Sequence, residues 1–298
     1  MEIRQLKYFV AAVRHRTILR AAKDQNITQP ALTRSIRKLE QELGGLLLER
    51  TPRGVVPTEL GRAFFERACS IVNEAERARD EVSALKSGSI GQVSIGVSSN
   101  FAGHYLIPAL VRLFETHRQI NITVREGLFE TLTPQLRAGE VDFVFSVFPS
   151  FYEEPDLVYE QIMEIRSPIV ARRQHPLARG TVTREDLSKA AWVLLEQRHV
   201  ERFHEQFFAK HKLPYPRFRL KTNSLVTMIE MMQRADLIAL LPEYLIADAL
   251  TRGAMVKVPY RTGTLSNKAG LVFMPHRKLS TAATIAVSQI RTVCRAKP

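Results

Sequence analysis

The segment NITQPALTRSIRKLEQEL, residues 26–43, carries side chains whose types and spacing suit binding to a polyanion. At helical spacing one face of this segment is apolar, with Leu32, Ile36, Leu39 and Leu43. The opposite face is polar or basic, with Pro30, Arg34, Arg37, Lys38 and Gln41. Gln29 and Thr33 offer donors and acceptors of the kind that read base edges, and arginines pair with phosphates. Taken alone, the same helix is equally compatible with a solvated basic face.

The proline in this segment marks the start of the predicted helix. Thr28 suits an N-cap, because its hydroxyl oxygen can accept from an amide of the first turn. Pro30 then lies in that first turn, where the amide proton that proline lacks has no intrahelical partner. The pattern predicts a helix with one face in a core and the other exposed.

Length and composition describe a globular chain with more than one core. The 298 residues suit two or three domains, and the apolar and charged fractions, 45% and 24%, are those of a soluble protein. No apolar run approaches the ~20 residues that span a bilayer, and the N-terminus lacks the apolar core of a signal peptide. The two cysteines, Cys69 and Cys294, form no disulfide framework. These features predict a cytoplasmic protein.

The net charge of +13 indicates an anionic partner, and it is concentrated in two regions. Residues 1–65 hold 12 Lys and Arg against 6 Asp and Glu, and residues 166–221 hold 13 against 5. The second concentration is compatible with an acidic ligand or with solubility alone.

The first 90 residues predict three short helices, a hairpin and one long helix. Apolar stripes define the first and third helices, and Thr17 is a suitable cap for a second helix between them. The turn TPRG predicts a hairpin, so the pattern is that of a winged helix-turn-helix. A longer helix from Thr58 to about Lys86 follows. Its apolar or small residues recur with heptad spacing, at Phe64, Ala68, Ile71, Ala75, Ala78, Val82 and Leu85. This seam favours a dimer, and packing against the helix's own domain is the alternative.

Beyond residue 90, short β-rich runs alternate with helical segments. The strands are predicted at VSIGV, INITV, VDFVFSV, WVLLE, LIALL and AGLVF, and the helices at YLIPALVRLFETH, VERFHEQFFAKH and SLVTMIEMMQRA. Alternation of this kind predicts an α/β fold with a mostly parallel sheet covered on both faces. Ligands of such folds bind beyond the carboxyl ends of the strands, near helix N-termini.

The N-terminal motifs resemble the DNA-binding domain of LysR-type transcriptional regulators. The resemblance rests on LKYFVAAV and on AAKDQNITQPALTRSIRKLEQELGGLLLERTPRGVVPTELG, and by pattern it extends over all 298 residues. It implies an N-terminal winged helix-turn-helix, a long linker helix and a two-lobed, doubly wound α/β effector domain of the periplasmic-binding-protein type. The implied boundaries are 1–58, 59–89 and 90–298, with one lobe at about 91–162 and 268–292 and the other at about 163–267.

By matching motif, the resemblance also implies DNA contacts. Gln29, Pro30, Thr33 and Arg34 are expected to face the major groove, with Arg37 and Lys38 near the backbone. Arg53 at the hairpin tip would enter the minor groove, supported by Arg50. Thr17 and Thr28 would either help to hold phosphates or only cap their helices. The family usually has a small residue, often glycine, before the position of Thr17, and here Arg16 stands there.

For the effector cleft, the resemblance implies residues at strand ends and helix starts. The set is Ser98, Ser99, Asn100, Phe101, Thr131, Phe148, Asn223 and Ser224. Hydroxyls and amides beside aromatic rings suit a small anionic or aromatic molecule. The family often has glycines in the segment that reads RADLIALLPE in this chain. Asp236 stands near one of those places, so the family pattern does not define the local turn.

Other functions explain less of the chain. The spacing of His199, His204 and His211 misses the i, i+4 pairing of helical metal ligands, so no metal or other cofactor is predicted. The sequence shows no nucleophile paired with a base, no set of metal ligands and no cofactor-binding loop, so it does not indicate an enzyme. An architectural DNA-binding protein or a stand-alone solute-binding protein would each use only part of the chain. The predicted function is an effector-controlled DNA-binding regulator, a homodimer or homotetramer that acts on double-stranded promoter DNA and RNA polymerase, with no membrane partner.

Overall fold

The structure, a computed structural model of the chain, describes residues 1–87, 89–98, 101–148, 154–196, 198–260 and 265–296. Its N-terminal part consists of three helices, a hairpin and a long helix, as the sequence pattern predicts. These elements are α1 (Ile3–His15), α2 (Ile18–Asp24), α3 (Gln29–Leu43), β1 (Leu48–Thr51), β2 (Gly54–Pro57) and α4 (Glu59–Ser87).

Two predicted helix caps are present in the N-terminal part. The Thr17 hydroxyl oxygen accepts from the Arg20 amide at 3.3 Å, and the Thr28 hydroxyl oxygen accepts from the Ala31 amide at 3.4 Å. Each threonine has extended backbone and satisfies an amide that the helix cannot pair itself.

The apolar stripe of α3 packs in a small core except at its last residue. Leu32, Ile36 and Leu39 are buried, but Leu43 is 40% exposed, which corrects its expected place in the core. The reason is local: Gly44 follows with φ +73°, and this left-handed residue ends the helix before another turn can cover Leu43.

The hairpin is fixed to α3 by a side chain. Strands β1 and β2 are antiparallel, and the pairing of Thr51 with Gly54 leaves a two-residue turn. The Glu40 carboxylate accepts from the Leu47 amide at 2.8 Å and from the Leu48 amide at 3.2 Å. The start of the hairpin is therefore held at a set position relative to α3.

The long helix α4 buries only part of its heptad seam within the chain. Thr58 caps it, accepting from the Gly61 amide at 2.9 Å. Ala68 is fully buried in a cluster with Leu6 and Phe9 of α1, whereas Ile71 and Val82 are 41% and 52% exposed. Packing within the chain thus covers Ala68 at the start of the seam and leaves Ile71 and Val82 largely uncovered.

The rest of the chain forms two α/β lobes. The strands are β3 (Gly91–Ser98), β4 (Ile120–Gly127), β5 (Phe143–Phe148), β6 (Val158–Ser167), β7 (Ile169–Arg172), β8 (Val193–Leu195), β9 (Leu220–Thr222), β10 (Ile238–Leu240), β11 (Met255–Lys257) and β12 (Leu265–Phe273). The helices are α5 (Ile107–Thr116), α6 (Phe129–Ala138), α7 (Arg184–Lys189), α8 (Arg198–Lys210), α9 (Leu225–Arg234), α10 (Ala247–Thr251) and α11 (Thr281–Ala296). A π-helical turn, Ala102–Leu106, precedes α5, and 3-10 turns lie at Pro176–Ala178 and Glu243–Ile246.

The first lobe contains a five-stranded sheet in the order β4-β3-β5-β12-β6. Strands β3, β4 and β5 are parallel, as expected, but β12 is antiparallel to both of its neighbours. Strands β6 and β12 carry the chain out to the second lobe and back, so they run in opposite directions. Four of the five strands of this sheet run in one direction and β12 runs against them, so the sheet is mostly parallel, as predicted. Both β6 and β12 pass over the predicted lobe boundaries.

The second lobe is built on short strands around Trp192. Strands β10, β7 and β11 form an antiparallel sheet, β8 pairs in parallel with β9, and a bridge from Trp192 to Ile238 joins the two sets. The Trp192 indole is fully buried and donates to the Leu187 carbonyl oxygen at 2.9 Å. Among the described residues, no helix is long and apolar enough to cross a membrane.

Candidate nucleic-acid interface and interlobe cavity

The first two turns of α3 form an exposed polar groove. Its lining residues are those that the sequence singled out, Gln29, Pro30, Thr33, Arg34 and Arg37, around a volume of about 470 Å³. Thr33 is half-buried and the other four are exposed. The buried stripe on the opposite side of the helix fixes this orientation, so the groove-lining side chains project away from the core.

The charges of this face are mostly available to a partner. Within the described part of the chain, Arg34 and Arg37 form no ion pair, and Lys38 meets only Glu2, at 3.8 Å. Because these side chains are exposed, pairing them with phosphates requires little desolvation.

The hairpin holds two more arginines beside α3. Arg53 is exposed in the two-residue turn, and Arg50 is exposed on β1. Gly54, with φ +133°, lets the hairpin dock closely, since a Cβ at that position would lie 2.1 Å from the Arg16 carbonyl oxygen. The same oxygen accepts from the Val55 amide at 2.8 Å. The wing is thereby anchored to the turn between α1 and α2.

The turn between α1 and α2 explains why a small residue would suit position 16. Arg16 has left-handed backbone, φ 57° and ψ 4°, and caps the C-terminus of α1. This conformation favours glycine, so arginine here carries backbone strain. Its side chain is exposed next to Thr17, so the departure from the family pattern leaves the fold intact and adds a positive charge to this face.

The predicted effector residues of the first lobe are mostly engaged in packing. Ser98 is buried, and its hydroxyl makes a short hydrogen bond with that of Ser146. Phe101 is fully buried and stacks on Tyr105, with ring centroids 5.4 Å apart. Phe148 is buried in a second cluster of the same lobe. Ser99 and Asn100 lie outside the described residues.

The remaining predicted effector residues lie at helix starts. The Thr131 hydroxyl is exposed and bonds to the backbone of Leu128 at the start of α6. Ser224 caps α9, accepting from the Thr227 amide at 3.2 Å, and Asn223 beside it is exposed. Each of these residues has a capping or surface position, and their contact with an effector stays a prediction.

A cavity between the two lobes is lined by a different set of residues. They come from β5, β6 and β12 on one side and from the second lobe on the other, and their polar members are Ser167, His204 and Asn267. None of the predicted effector residues that the structure describes lines it. The sequence contains one signal of this cavity, which is His204 among the apolar residues of α8. Its spacing from the other histidines predicts no metal site and gives no other reason for its position. The described residues contain no group of acidic, histidine or cysteine side chains that could hold a metal.

Comparisons with known proteins agree with both halves of this arrangement. The family model "Bacterial regulatory helix-turn-helix protein, lysR family" matches residues 3–62, and "LysR substrate binding domain" matches residues 86–295. The chain belongs to the LysR family. It is therefore a DNA-binding transcriptional regulator whose C-terminal domain binds a small-molecule effector.

Relatives match over most of their length. The chain is 32% identical to the HTH-type transcriptional regulator GbpR of Rhizobium radiobacter over 78% of this chain and 79% of that protein. A structure of a full-length OxyR variant from Pseudomonas aeruginosa matches with a TM-score of 0.73 and 21% identity, over 99% and 95% of the two chains. Full-length CbnR in complex with its target DNA matches with a TM-score of 0.68 and 21% identity, over 98% and 100%.

In this LysR-family chain, the linker helix is tied to the first lobe by two arginines. Arg77 of α4 pairs with Asp142 at 3.1 Å and donates to the Gly139 carbonyl oxygen at 2.8 Å. Arg277, which precedes α11, donates to the Leu136 carbonyl oxygen at 2.7 Å and to the Ser70 hydroxyl of α4 at 3.2 Å. Burial lowers the pKa of Arg277. A polar groove of about 700 Å³ runs along this junction.

The two cysteines do not form a redox pair. Cys69 is buried in α4, and Cys294 is buried in α11 in a different core cluster. Burial raises the pKa of the Cys69 thiol, which keeps it as the unreactive thiol. Buried cysteines in separate clusters lack the exposure that a peroxide sensor requires.

Proposed function

We propose that this LysR-family regulator reads a dyad-symmetric promoter site with the exposed groove of α3 and acts as a transcription factor and not as an enzyme. The observation that carries the proposal is the set Gln29, Thr33 and Arg34 on the face of α3 opposite its buried stripe. Gln29 and Arg34 contact base edges, and Arg37 and Lys38 hold the phosphate backbone. Arg53 and Arg50 of the wing reach the adjacent minor groove.

A dimer, or a pair of dimers, places two such helices in successive major grooves. The exposed part of the linker-helix seam supports this assembly. A small molecule in the interlobe cleft shifts the relative arrangement of protomers, and so the DNA bend or the contact with RNA polymerase, provided that it prefers one state. Because the target is chromosomal DNA, the protein acts in the cytoplasm.

The test compares Arg34→Ala and Arg37→Ala in duplex-binding titrations at fixed salt, with duplexes chosen by sequencing the DNA that the protein binds. Arg34→Ala should lower the free energy of binding to the selected site by about 1–3 kcal/mol, and that of binding to random DNA by less, because a base contact is lost. Arg37→Ala should weaken both about equally and reduce the salt slope by about one.

Arg112→Ala is the matched control, since Arg112 is exposed on α5 and the variant has the same change of charge. Equal losses on specific and random duplexes for Arg34→Ala would remove its base-reading role. A thermal-shift screen of metabolites, followed by operator titrations, tests the effector half of the proposal. Operator binding that responds to no ligand of the screen would contradict it.

A further inference from the structure

The cavity between the two lobes contains a buried histidine that no part of the DNA-binding function uses. His204 lies on α8, is fully buried, and lines the cavity together with side chains of both lobes. Val147, Ile165 and Asn267 come from strands of the first sheet, and Leu195 and Met228 come from the second lobe. A group bound here would touch both lobes at once.

The hydrogen bonding of His204 defines the protonation of its ring. Nδ1 lies 2.8 Å from the Val200 carbonyl oxygen, and because a carbonyl oxygen only accepts, Nδ1 must carry the hydrogen. Burial lowers the pKa of His204 to about 4, so the ring is neutral at pH 7 and Nε2 is an acceptor. Among the described residues, Nε2 has no hydrogen-bond partner.

An unpartnered acceptor in a native interior requires an explanation, because a buried polar atom without a donor is destabilising. The cavity supplies space for a donor: its volume is about 50 Å³, and about 10–15 Å³ suffices for one water molecule. The cavity beside His204 therefore has room for a group larger than a single water molecule.

The other lining residues determine which chemistry fits. Apart from Ser167, Asn267 and His204, the described side chains that line the cavity are apolar. None of them carries a charge at neutral pH, so a carboxylate or phosphate placed here would be buried without a cation. An apolar group with one hydrogen-bond donor satisfies Nε2 and fills the remaining space.

We propose that this cavity is a subsite for the effector, and that it takes an uncharged, mainly apolar portion of the molecule whose hydroxyl group donates to His204 Nε2. The inference rests on the proposed effector-controlled function and specifies the ligand class. It differs from the acidic ligand that is one of the two explanations open for the basic residues 166–221. Since side chains of both lobes line the cavity, the bound group contacts both lobes and favours this arrangement of them.

Three probes with the same ring and different head groups test the inference: phenol, toluene and benzoate. The full-length protein, labelled with ¹⁵N-histidine, is titrated with each probe, and the Nε2 resonance of His204 is assigned with His204→Phe. Phenol should shift this resonance saturably, because its hydroxyl donates to the ring. Toluene should bind without that shift, and benzoate should bind most weakly, since the cavity offers no cation among its described lining residues.

Calorimetry on variants supplies the second readout. His204→Phe should weaken phenol binding about tenfold, to the level of toluene, because one hydrogen bond is lost. His211→Phe is the matched control: His211 is also a buried histidine, it packs on Phe207 and Tyr260, and it does not line the cavity. Its phenol affinity should equal that of the wild type.

Three results would overturn the inference. The first is an Nε2 resonance that does not respond to saturating phenol, which would mean that water already occupies the site. The others are equal shifts with phenol and toluene, and equal phenol affinity in the wild type and His204→Phe. The titration itself uses the unaltered chain, and His204→Gln supplies the assignment of the resonance if His204→Phe does not fold. A failed phenol response with operator binding that still responds to a metabolite refutes the subsite alone. Operator binding that responds to no metabolite refutes the proposed function alone.

Discussion

At the scale of single residues, the groove on α3 and the cavity around His204 are assembled in different ways. The groove on α3 is formed by residues that helical spacing and the capping pattern placed away from its apolar stripe. That stripe is local, so one helix's periodicity determines which side faces out. The cavity around His204 brings together residues more than 100 positions apart, such as Val147 and Asn267, and no local spacing encodes such a meeting.

The burial of His204 predicts a specific dependence of stability on pH. Its folded pKa, about 4, lies below the ordinary value of 6.5, so between these values the unfolded chain holds a proton that the folded chain does not. The contribution of the neutral His204 ring to the free energy of unfolding is fully present above pH 6.5 and is lost as the pH falls towards 4. The loss across the window is about 3 kcal/mol.

Chemical denaturation of the wild type and of His204→Phe at pH 7.5 and pH 4.5 measures this effect. On acidification the free energy of unfolding of the wild type should fall by about 2–3 kcal/mol more than that of the variant, since the variant has no imidazole to protonate. His276→Phe serves as the control, because His276 is exposed, and it should retain the wild-type dependence. Parallel pH dependences for the wild type and His204→Phe would show that the ring is not buried as a neutral group.

At the scale of elements, the six predicted strands and the predicted helices are all present, but the sequence pattern does not indicate other elements, including the 16-residue helix α11. The three N-terminal helices, the wing and α4 all lie where their patterns placed them. The sequence pattern does not indicate β6 and β7, because β6 is largely polar at the sheet edge and β7 has only four residues. Three-residue strands such as β9 and β11 owe their existence to pairing partners that are distant in sequence.

The exposed part of the α4 seam predicts a dimer that one substitution weakens. Val82→Asp places a charge where the seam would meet a second copy, and burial of each valine contributes about 1.5 kcal/mol or more. With two copies in a symmetric interface, the dissociation constant of the dimer should rise by about 100-fold. Light scattering coupled to gel filtration across a dilution series measures it.

Val226→Asp is the matched control for the dimer, because Val226 is 73% exposed on α9 in the second lobe. That variant should keep the mass of the wild type at every dilution. A Val82→Asp protein with unchanged mass would indicate that α4 packs only within its own chain, the alternative with which its heptad spacing is also compatible.

At the scale of the whole molecule, the family resemblance predicted the order of domains but not their contacts. Helix α4 touches α6 and the segment before α11, and Ala138 of the first lobe is buried in the cluster that contains Phe9 of α1. Arg14 of α1 also pairs with Glu140 of that lobe, at 2.5 Å. The DNA-binding half thus rests directly on the half that holds the cleft, through residues whose partners are distant in sequence.

Arg277 is the most buried charged side chain among the ion pairs of this junction, with 8% exposure. It donates to the carbonyl oxygens of Leu136 and Arg137, at the C-terminus of α6, where helical carbonyls have no intrahelical partner. Arg277→Ala leaves these oxygens without their donor and removes one of the links between α6 and α4. We expect it to lower the free energy of unfolding by about 2 kcal/mol, as urea denaturation would measure.

The same substitution tests whether the junction transmits the effector signal. With operator affinity measured in the presence and absence of an effector from the metabolite screen, Arg277→Ala should retain both binding reactions while the ratio of the two affinities falls towards one. Arg79→Ala is the matched control, because Arg79 is exposed on the same helix α4 that Arg277 contacts. If the junction carries the coupling, removing the Arg277 contact must change the ratio of the two operator affinities. A wild-type ratio in Arg277→Ala would therefore show that the coupling runs through other contacts.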